Sequence, residues 1–316
     1  GQIHVRGEHA NVQYRLNGVA LPEGLSVFGQ TLIGRVARSM TLMTGSLPAQ
    51  YGFKTAGVVD IQTKSGATDP GGRLTLRGGS WNWLQSSIEY GGKAGPVDYF
   101  LVMDGMRNDR GLENPTSSID ARHDTTRQFH GLATLTVTPD ADTRLHLLLG
   151  GFNGAYQIPT RPGQSTLGYN VLGITTFDSA HLNERQTEAT AFAVLSLQKR
   201  FDNKDIQISL FNRTSTLRYR PDAIGDILFN GIAQWAAREN VATGIQADGS
   251  WQIDDRHTLR AGFVVQTERA GVAARSAVLP LDNTGAQTSN IPLSIVGNQQ
   301  NVGQLYGIYV QDEWRI

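Results

Sequence analysis

The sequence predicts a mainly β protein, in which a small α+β domain at the N-terminus precedes the first strands of an antiparallel transmembrane β-barrel. Three observations predict this fold. Beyond residue 72, apolar and polar residues alternate over segments of about 10–15 residues. Tight turns and long polar loops alternate between these segments. No stretch approaches the ~18 uncharged apolar residues of a membrane helix, which excludes a bundle of membrane-spanning helices.

The composition excludes several classes of function. The 316 residues carry 28 Lys and Arg against 28 Asp and Glu, and this balance argues against a nucleic-acid-binding protein, which usually has a basic excess. The chain has no cysteine, which excludes disulfide scaffolds, thiolate zinc sites and cysteine nucleophiles. Its 36 glycines and 11 prolines are typical of a turn-rich, all-β chain.

Residues 1–68 predict a compact domain of mixed structure. Short strands are expected at 3–6 and 12–16, and the second ends at Asn17-Gly18, a strong hairpin signal because both residues tolerate positive φ. Residues 27–43 are expected to form a helix, because apolar residues recur there at helical spacing. These residues are Leu32, Val36, Met40 and Met43.

A loop at 45–52 and a strand at 57–66 complete this part of the chain. The cluster of turn-forming residues at 67–72 then marks a domain boundary. We therefore expect two domains, 1–68 and 73–316.

The expected barrel strands place apolar and polar residues on opposite faces. Segment 205–218 shows the pattern, which 133–138 and 257–270 repeat. Its apolar set is Ile206, Ile208 and Leu210, and its polar set is Gln207, Ser209 and Arg213. A tilted spanning strand needs ~9–11 residues, and a polar inner face suits a hydrated or protein-filled lumen.

Two classes of connection alternate in this part. Tight turns are expected at 93–96, 139–142, 202–204 and 254–256, and long loops at 108–125, 153–185, 220–237 and 272–302. Transmembrane barrels place tight turns at one membrane face and long loops at the other. Aromatic residues near the strand ends are expected to form interfacial girdles, namely Trp81, Trp83, Tyr90, Tyr99, Phe152, Tyr219 and Trp314.

The pattern gives about ten strands. An open sheet of that width would expose unpaired N–H and C=O groups to lipid at its two edges. We therefore expect closing strands after Ile316. The first residues lack the features of a signal peptide, and the chain stops within a strand pattern, so both ends are expected to be cut.

Several segments carry a resemblance to a known family. Residues 3–7 (Ile-His-Val-Arg-Gly) and 14–22 (Tyr-Arg-Leu-Asn-Gly-Val-Ala-Leu-Pro), with 45–52 and 56–66 after them, resemble the plug domain of TonB-dependent outer-membrane receptors. Residues 309–315 are similar to a recurrent barrel strand of that family. The resemblance implies that 1–68 is an N-terminally truncated plug. It also implies that 73–316 holds about ten of the roughly 22 strands of the barrel.

The resemblance implies a function in the outer membrane of a Gram-negative bacterium. Such a receptor binds a scarce nutrient, a ferric siderophore or similar chelate, at the outer face and imports it. Energy comes from the TonB–ExbB–ExbD complex through a TonB box, which is expected before Gly1. The implied partners are this complex, the nutrient ligand and outer-membrane lipid, with no nucleic acid. No enzymatic activity, cofactor or resident metal is implied.

The resemblance also implies a structural charge. Arg6 matches the plug arginine that the family pairs with glutamates of the barrel. A charge enclosed in the lumen needs a partner, and the guanidinium fork suits carboxylates. A second family arginine usually precedes the glycine matched by Gly45, where this chain has Thr44. The paired cluster is therefore expected to be altered, as in a divergent branch.

The loops of the plug that face outward are expected to contact the ligand. The matching positions offer hydrogen-bonding groups and one apolar platform, in Glu8, His9, Asn11, Glu23 and Phe28. A histidine beside a glutamate is also common in ordinary loops, so these residues do not by themselves indicate a metal site. Arg161 and Trp235 are weaker candidates from the long loops and the lumen.

The sequence also bears on other classes of function. The chain has no G-x-S-x-G, H-E-x-x-H or G-x-x-x-x-G-K-[ST] motif, and its aspartates at 140–142 and 254–255 lie where tight turns favour Asp. A TonB-dependent oligosaccharide importer remains open, as does a surface adhesin or carbohydrate-binding β-protein without transport. A β-barrel enzyme of the outer membrane would need Ser, His and an acid converging at one rim.

Overall fold

The structure is a computed structural model that describes residues 4–5, 8–9, 12–22, 24–52, 56–113, 116 and 122–315. At 4–5 and 8–9 it describes the backbone alone. Two sheets account for most of these residues, a four-stranded one near the N-terminus and a ten-stranded one after it.

The N-terminal part forms a two-stranded ribbon and a four-stranded sheet. Its strands are β1 (His4–Val5), β2 (Glu8–His9), β3 (Val12–Leu16), β4 (Val19–Ala20), β5 (Ala37–Met43) and β6 (Gly57–Thr63). The four-stranded sheet, called the small sheet below, has the order β4-β3-β6-β5. In it β3 runs parallel to β6, whereas β4 and β5 are antiparallel to their neighbours.

The turn between β3 and β4 is the hairpin that the sequence predicts. Asn17 and Gly18 have φ of 50° and 85°, the left-handed region that an Asn-Gly turn requires. The Asn17 side chain accepts the backbone N–H of Thr63 at 2.9 Å and donates to the Thr63 hydroxyl at 2.9 Å. This prediction is confirmed.

The helix expected over 27–43 is wrong. A short 3-10 helix covers Gly34–Val36, and the chain then continues as β5, which pairs with β6 from Ala37↔Thr63 to Met43↔Val58. Helical spacing of apolar residues is a weak signal over a short segment, and here the ladder to β6 takes the backbone hydrogen bonds instead. The described residues of 1–68 therefore contain no α-helix.

The ten-stranded sheet, called the large sheet below, is an antiparallel meander in sequence order. Its strands are β7 (Gly71–Gly78), β8 (Leu84–Ala94), β9 (Val97–Asn108), β10 (Thr126–Asp140), β11 (Thr143–Gln157), β12 (Arg185–Phe201), β13 (Lys204–Arg220), β14 (Ile232–Gln252), β15 (His257–Val278) and β16 (Leu293–Trp314). The ten strands and the antiparallel arrangement are as predicted. One α-helix in the described residues, α1 (Gly225–Asn230), lies between β13 and β14.

Tight turns join the strands at one end of the large sheet and longer loops join them at the other. The tight turns lie at 95–96, 141–142, 202–203 and 253–256, and the loops at 79–83, 109–125, 158–184, 221–231 and 279–292. The predicted alternation is confirmed. The loops expected at 220–237 and 272–302 are shorter than predicted, because β14, β15 and β16 extend well beyond a minimal spanning strand.

The two faces of the large sheet have opposite character. On β13, Ile208 is 42% exposed and Leu210 is 53% exposed, whereas Ser209 between them is 1% exposed. A water-soluble sheet buries its apolar face, and here the apolar face is the open one. The predicted division into an apolar outer face and a polar inner face is confirmed.

The inner face is covered by the small sheet. One apolar cluster joins Leu16, Val19, Val36 and Ile61 to residues of the large sheet, namely Phe100, Val102, Leu132, Leu148, Phe192, Val194 and Phe211. No helix in the described part of the chain is both long and apolar enough to cross a membrane.

One aromatic assigned to the girdles is misplaced. Trp81, Tyr90 and Trp314 are exposed, as the girdle interpretation expects. Phe152 is instead buried, and its ring lies against Gly29 of the N-terminal part. Strand parity explains the difference, because Phe152 shares the inner face with Leu148 and His146, two and three strand repeats away.

Candidate functional site

A loop of the N-terminal part, residues 24–30, docks on one buried carboxylate of the large sheet. Glu188 of β12 is 1% exposed. Its Oε1 accepts the backbone N–H groups of Val27 and Phe28, both at 3.0 Å, and its Oε2 accepts that of Gly29 at 3.1 Å. A carboxylate that accepts several N–H bonds is stable when buried, even without a cation. We call residues 24–30 the docking loop.

Two side chains complete the shell around Glu188. The Ser26 hydroxyl donates to its Oε2 at 3.1 Å, and the Gln186 amide donates to its Oε1 at 2.7 Å. The carboxylate thus accepts five hydrogen bonds, four of them from the docking loop. Glu188 is the main polar anchor of the loop, and the backbone N–H of Leu25 also donates to the Ser215 hydroxyl at 2.9 Å.

Aromatic rings enclose the other side of the docking loop. The Phe28 ring lies 5.4 Å from that of Tyr156, centroid to centroid. A Cβ on Gly29 would lie 2.0 Å from Phe152 Cζ, so only glycine fits there. His130 Nε2 lies 2.8 Å from the carbonyl oxygen of Gln30, and the His130 ring lies 4.9 Å from that of Phe152.

A cluster of charges joins the small sheet to β8 and β9. The Lys64 ammonium lies 2.6 Å from Glu89, and the Arg35 guanidinium lies 3.2 Å from Glu89 and 3.4 Å from Asp104. Gln85 also donates to Asp104, at 2.9 Å to Oδ2. Because these carboxylates are buried, the two cations of the small sheet neutralise charges that would otherwise be costly.

A third cation, Arg15, is buried at the hairpin of the small sheet. Arg15 donates to the carbonyl oxygens of Gln50, at 3.1 Å, and Gly18, at 2.5 Å. Its guanidinium also lies 5.1 Å from the centre of the Tyr51 ring and 4.0 Å from Asp248 of β14. Arg15 therefore links three segments of the N-terminal part to the large sheet.

The linker after β6 is fixed to the large sheet as well. The backbone N–H groups of Gly66 and Ala67 donate to the two oxygens of Asp98, at 2.9 and 2.7 Å. With Glu188, Glu89, Asp104 and Asp248, this makes five acidic side chains of the large sheet that contact the N-terminal part. Hydrogen bonds to charged groups are the stronger class, worth about 1.5–3 kcal/mol each.

The long loops above the docking loop pack on one another. Ile227 and Leu228 of α1, Val171 of the loop at 158–184, and Leu279 form a small apolar cluster with Ala233. The backbone N–H of Leu167 donates to the carbonyl oxygen of Leu228 at 2.8 Å, and that of Leu172 to Asn290 at 2.8 Å. The loops thus have a core of their own.

One carboxyl in this loop region has a strongly shifted pKa. Burial, and next the neighbouring Glu184, raise the pKa of Asp226 to about 8. Its oxygens accept the backbone N–H of Asp222 at 2.9 Å and the amide of Asn230 at 3.2 Å. Asp226 is therefore protonated over much of the acidic and neutral range.

Most residues expected to contact ligand cannot be placed. Asn11 and Glu23 lie outside the described residues, as does Arg6, the expected structural charge, and only the backbone of Glu8 and His9 is described, on β2. Phe28 lies in the docking loop against Tyr156, so of these residues the structure places one side chain. Its contact with ligand stays a prediction.

The two weaker candidates differ in position. Arg161 lies in the long loop at 158–184, where its carbonyl oxygen accepts the Ser179 hydroxyl at 2.9 Å. Trp235 falls within the loop expected at 220–237, but the structure places it on β14, and its contact with ligand stays a prediction. It is five positions from the buried Asn240 on β14, so strand alternation directs it to the opposite face.

The charges that hold the N-terminal part were missed from the sequence. Thr44 stands where the resemblance expects a second arginine, and Arg35 and Lys64 carry the described charge pairs instead. For Glu188 the sequence offered one signal: Gln186, Glu188 and Thr190 occupy alternate positions of β12, which indicates a polar inner face there. No group of three or more His, Asp or Glu side chains in the described ranges could hold a metal ion.

Solved structures with this fold are receptors and transporters. The siderophore receptor PiuA from Acinetobacter baumannii aligns with 98% of this chain and 48% of its own, with a TM-score of 0.64 and 12% identity. The outer membrane transporter YddB from Escherichia coli aligns with 99% of this chain and 48% of its own, with a TM-score of 0.61 and 11% identity. The outer-membrane ferripyoverdine receptor of Pseudomonas aeruginosa, bound to ferripyoverdine, aligns with 98% of this chain and 44% of its own, with a TM-score of 0.58 and 13% identity.

These likenesses establish the fold of the chain. It has the architecture of the outer-membrane receptors that the sequence resembles, and it spans about half the length of the structures that it matches. No protein-family model and no curated protein matches the sequence.

Proposed function

We propose that the chain is part of a TonB-dependent receptor in the outer membrane of a Gram-negative bacterium. One observation carries the proposal: the large sheet exposes its apolar face and encloses a small folded unit against its polar face. An apolar outer surface suits lipid, and a lumen filled by protein needs polar and charged partners on the wall. The packing of the two sheets fits both requirements.

The proposal assigns a separate role to each of the two parts of the chain. Residues 1–68 would act as the plug and 73–316 as the first part of the barrel wall. Beside the apolar cluster that joins the two sheets, the links between them include hydrogen bonds and ion pairs through Glu188, Glu89, Asp104 and Asp98. Polar links can be exchanged for water one at a time, which suits a plug that must move.

The proposed cargo is a ferric siderophore or a similar chelate. Support comes from the kind of protein that shares the fold, since PiuA is a siderophore receptor and the Pseudomonas structure holds ferripyoverdine. The docking loop lies at the end of the large sheet that carries the long loops, where β11 ends and β12 begins. Phe28 of this loop, with Glu8, His9, Asn11 and Glu23 of the neighbouring segments, is the proposed ligand-binding set.

The proposed mechanism has two steps. Cargo binds at the outer mouth to the long loops and the plug, and force from TonB–ExbB–ExbD then rearranges the plug. A rearrangement that moves the docking loop would have to break its hydrogen bonds to Glu188, four of which converge on this one carboxylate. The polar inner face would keep the opened passage hydrated.

Uptake in cells tests the proposal. A strain lacking the gene would be compared with its parent for uptake of radioactive iron carried by a panel of siderophores, each with and without a functional TonB. We expect one chelate whose uptake is lost in the deletion strain and in the strain without TonB. Equal uptake of every chelate, together with loss of growth on an oligosaccharide, would instead support the sugar importer.

A further inference from the structure

A second cavity lies far from the docking loop, at the end of the large sheet that carries the tight turns. Its volume is about 230 Å³, and it lies between the small sheet and the wall. The small sheet contributes Asn17, Arg38, Ser39, Gln62, Thr63, Lys64 and Ser65, and the wall contributes Arg144, His146, Ser196 and Gln198. Arg144 is the second residue of β11, directly after the turn at 141–142. A cavity of this size has room for a compact ligand with several waters.

The lining of this cavity has one sign of charge. It contains the cations Arg38, Lys64 and Arg144 and no carboxylate. The adjoining cavity of about 460 Å³ shares Arg144 but is also lined by Asp142, Asp205 and Asp248. The smaller cavity is therefore the one whose lining residues include cations but no acidic side chain.

Two of the three cations are available to a ligand. Lys64 is engaged by Glu89 at 2.6 Å. Within the ranges that the structure describes, neither Arg38 nor Arg144 makes an ion pair or a side-chain hydrogen bond. They come from opposite sides of the cavity, Arg38 from β5 and Arg144 from β11. A ligand between them would bridge the small sheet and the wall.

The remaining lining consists of hydroxyl and amide groups, with one imidazole. His146 is held by the Thr136 hydroxyl at 2.8 Å and the Asn17 amide at 3.0 Å, so its ring is fixed. Serine, threonine, glutamine and asparagine can all donate to oxygen atoms. Arginine adds a rigid fork that matches the geometry of carboxylate and phosphate.

We propose that this cavity binds a compact oxyanion with at least two negative charges, such as a phosphate or a small polycarboxylate. The site goes beyond the proposed function, because it lies at the opposite end of the small sheet from the docking loop and needs no cargo at the outer mouth. Bound anion would tie Arg38 to Arg144 and so strengthen the seat of the small sheet on the wall.

Calorimetry on the full-length protein in detergent tests this inference. Inorganic phosphate and citrate would be titrated separately at low ionic strength, with chloride as the singly charged comparison. The double variant R38Q/R144Q removes the two free cations. The matched control R185Q/R220Q removes two exposed arginines that face each other at the long-loop end, and so keeps the same net charge.

We expect saturable binding of phosphate or citrate to the natural protein and at least tenfold weaker binding to R38Q/R144Q, with the control unchanged. R38Q alone, on an exposed edge strand, is expected to weaken binding in the same direction and covers the case in which the double variant does not fold. Equal binding to all variants, or equal heats with chloride, would overturn the inference. Anion binding as expected, together with unchanged uptake of every chelate in the deletion strain, would count against the proposed function alone.

Discussion

The backbone N–H of Phe28 donates to the carboxylate of Glu188 at 3.0 Å, across 160 residues of sequence. The same carboxylate oxygen accepts Val27, and the other accepts Gly29. The aromatic residue that the sequence marks for ligand contact is thus held by a residue of the wall. Any movement of Phe28 towards or away from a ligand must act on this hydrogen bond.

Replacing Glu188 with Gln should release the docking loop. The amide keeps one acceptor oxygen but directs an N–H₂ group at backbone N–H donors, so at least one buried donor loses its partner at a cost of about 1–3 kcal/mol. Hydrogen exchange measured on the full-length protein should show the amides of 26–29 exchanging about tenfold faster or more.

The control for this variant is E239Q. Glu239 is exposed on β14, and its loss removes the same charge without touching the loop. Unchanged exchange at 26–29 in E188Q would show that the carboxylate does not hold the loop.

Substituting Gly29 with Ala should push the docking loop off the wall. The new Cβ would meet Phe152 Cζ at 2.0 Å and the Tyr156 hydroxyl oxygen at 2.6 Å. Overpacking of this kind typically costs about 1–3 kcal/mol. Limited proteolysis should show faster cleavage in the N-terminal part.

Gly34→Ala is the matched comparison, because a Cβ at Gly34 has no neighbour within 4 Å. It should be cleaved at the natural rate. Equal rates for both alanine variants would mean that the loop is not confined as described.

Removing Arg35 should leave Asp104 buried without its cation. Breaking a buried pair from one side costs about 3–5 kcal/mol, whereas an exposed pair such as Arg200–Asp205 contributes ~1 kcal/mol or less. The midpoint temperature of thermal unfolding should therefore fall clearly in R35M and hardly change in R200Q.

A second substitution checks the cause. Asp104→Asn in the R35M background removes the unpaired charge and should recover part of the loss. If D104N made R35M less stable still, the ion pair would not be the reason for the destabilisation.

The loop cluster around α1 should weaken as the pH rises. Asp226 has an ordinary pKa of 3.8 and a folded-state pKa of about 8. Between these values the unfolded loop releases the proton that the folded loop keeps, so stability is full below about 4, falls with rising pH, and reaches its lower limit above about 8. Amide exchange in 225–230, corrected for the intrinsic effect of pH, reports this.

Asp226→Asn should abolish the dependence, because Asn cannot ionise and can still accept and donate one hydrogen bond each. Asp142→Asn, an exposed acid at the tight-turn end, should leave it unchanged. A dependence that persists in D226N would assign it to another group.

The sequence predicted the parts of the fold that depend on local pattern. Alternation on β13 identified the open apolar face, and Asn17-Gly18 identified the hairpin of the small sheet. It failed at 27–43, where spacing typical of a helix was overridden by pairing with β6. Strand pairing joins residues that are distant in the sequence, so the pattern of one segment does not indicate which other segment will pair with it.

The candidate site was predicted only in part, for the same reason. The loop carrying Phe28 was recognised, but its partner Glu188 was not, since nothing near residue 28 indicates which strand will face it. Arg35 and Lys64 were missed because only the folded chain brings them to Glu89. Interpretation by resemblance assigned a structural charge to Arg6, which lies outside the described residues, and expected the paired cluster to be altered at Thr44.

Spin labels on opposite faces of β13 test the central claim most directly. The chain has no cysteine of its own, so Leu210→Cys and Gln207→Cys each add one labelling site to it, and any cysteine elsewhere in the full-length protein would first be replaced with serine before reconstitution into lipid vesicles. Leu210 belongs to the exposed apolar face and Gln207 lines the cavities of the inner face. We predict that oxygen, which partitions into lipid, relaxes the label at 210 most strongly, and that a water-soluble nickel chelate relaxes the label at 207. A label at 210 more accessible to the nickel chelate than to oxygen would show that this face meets water, and the transmembrane account would be wrong.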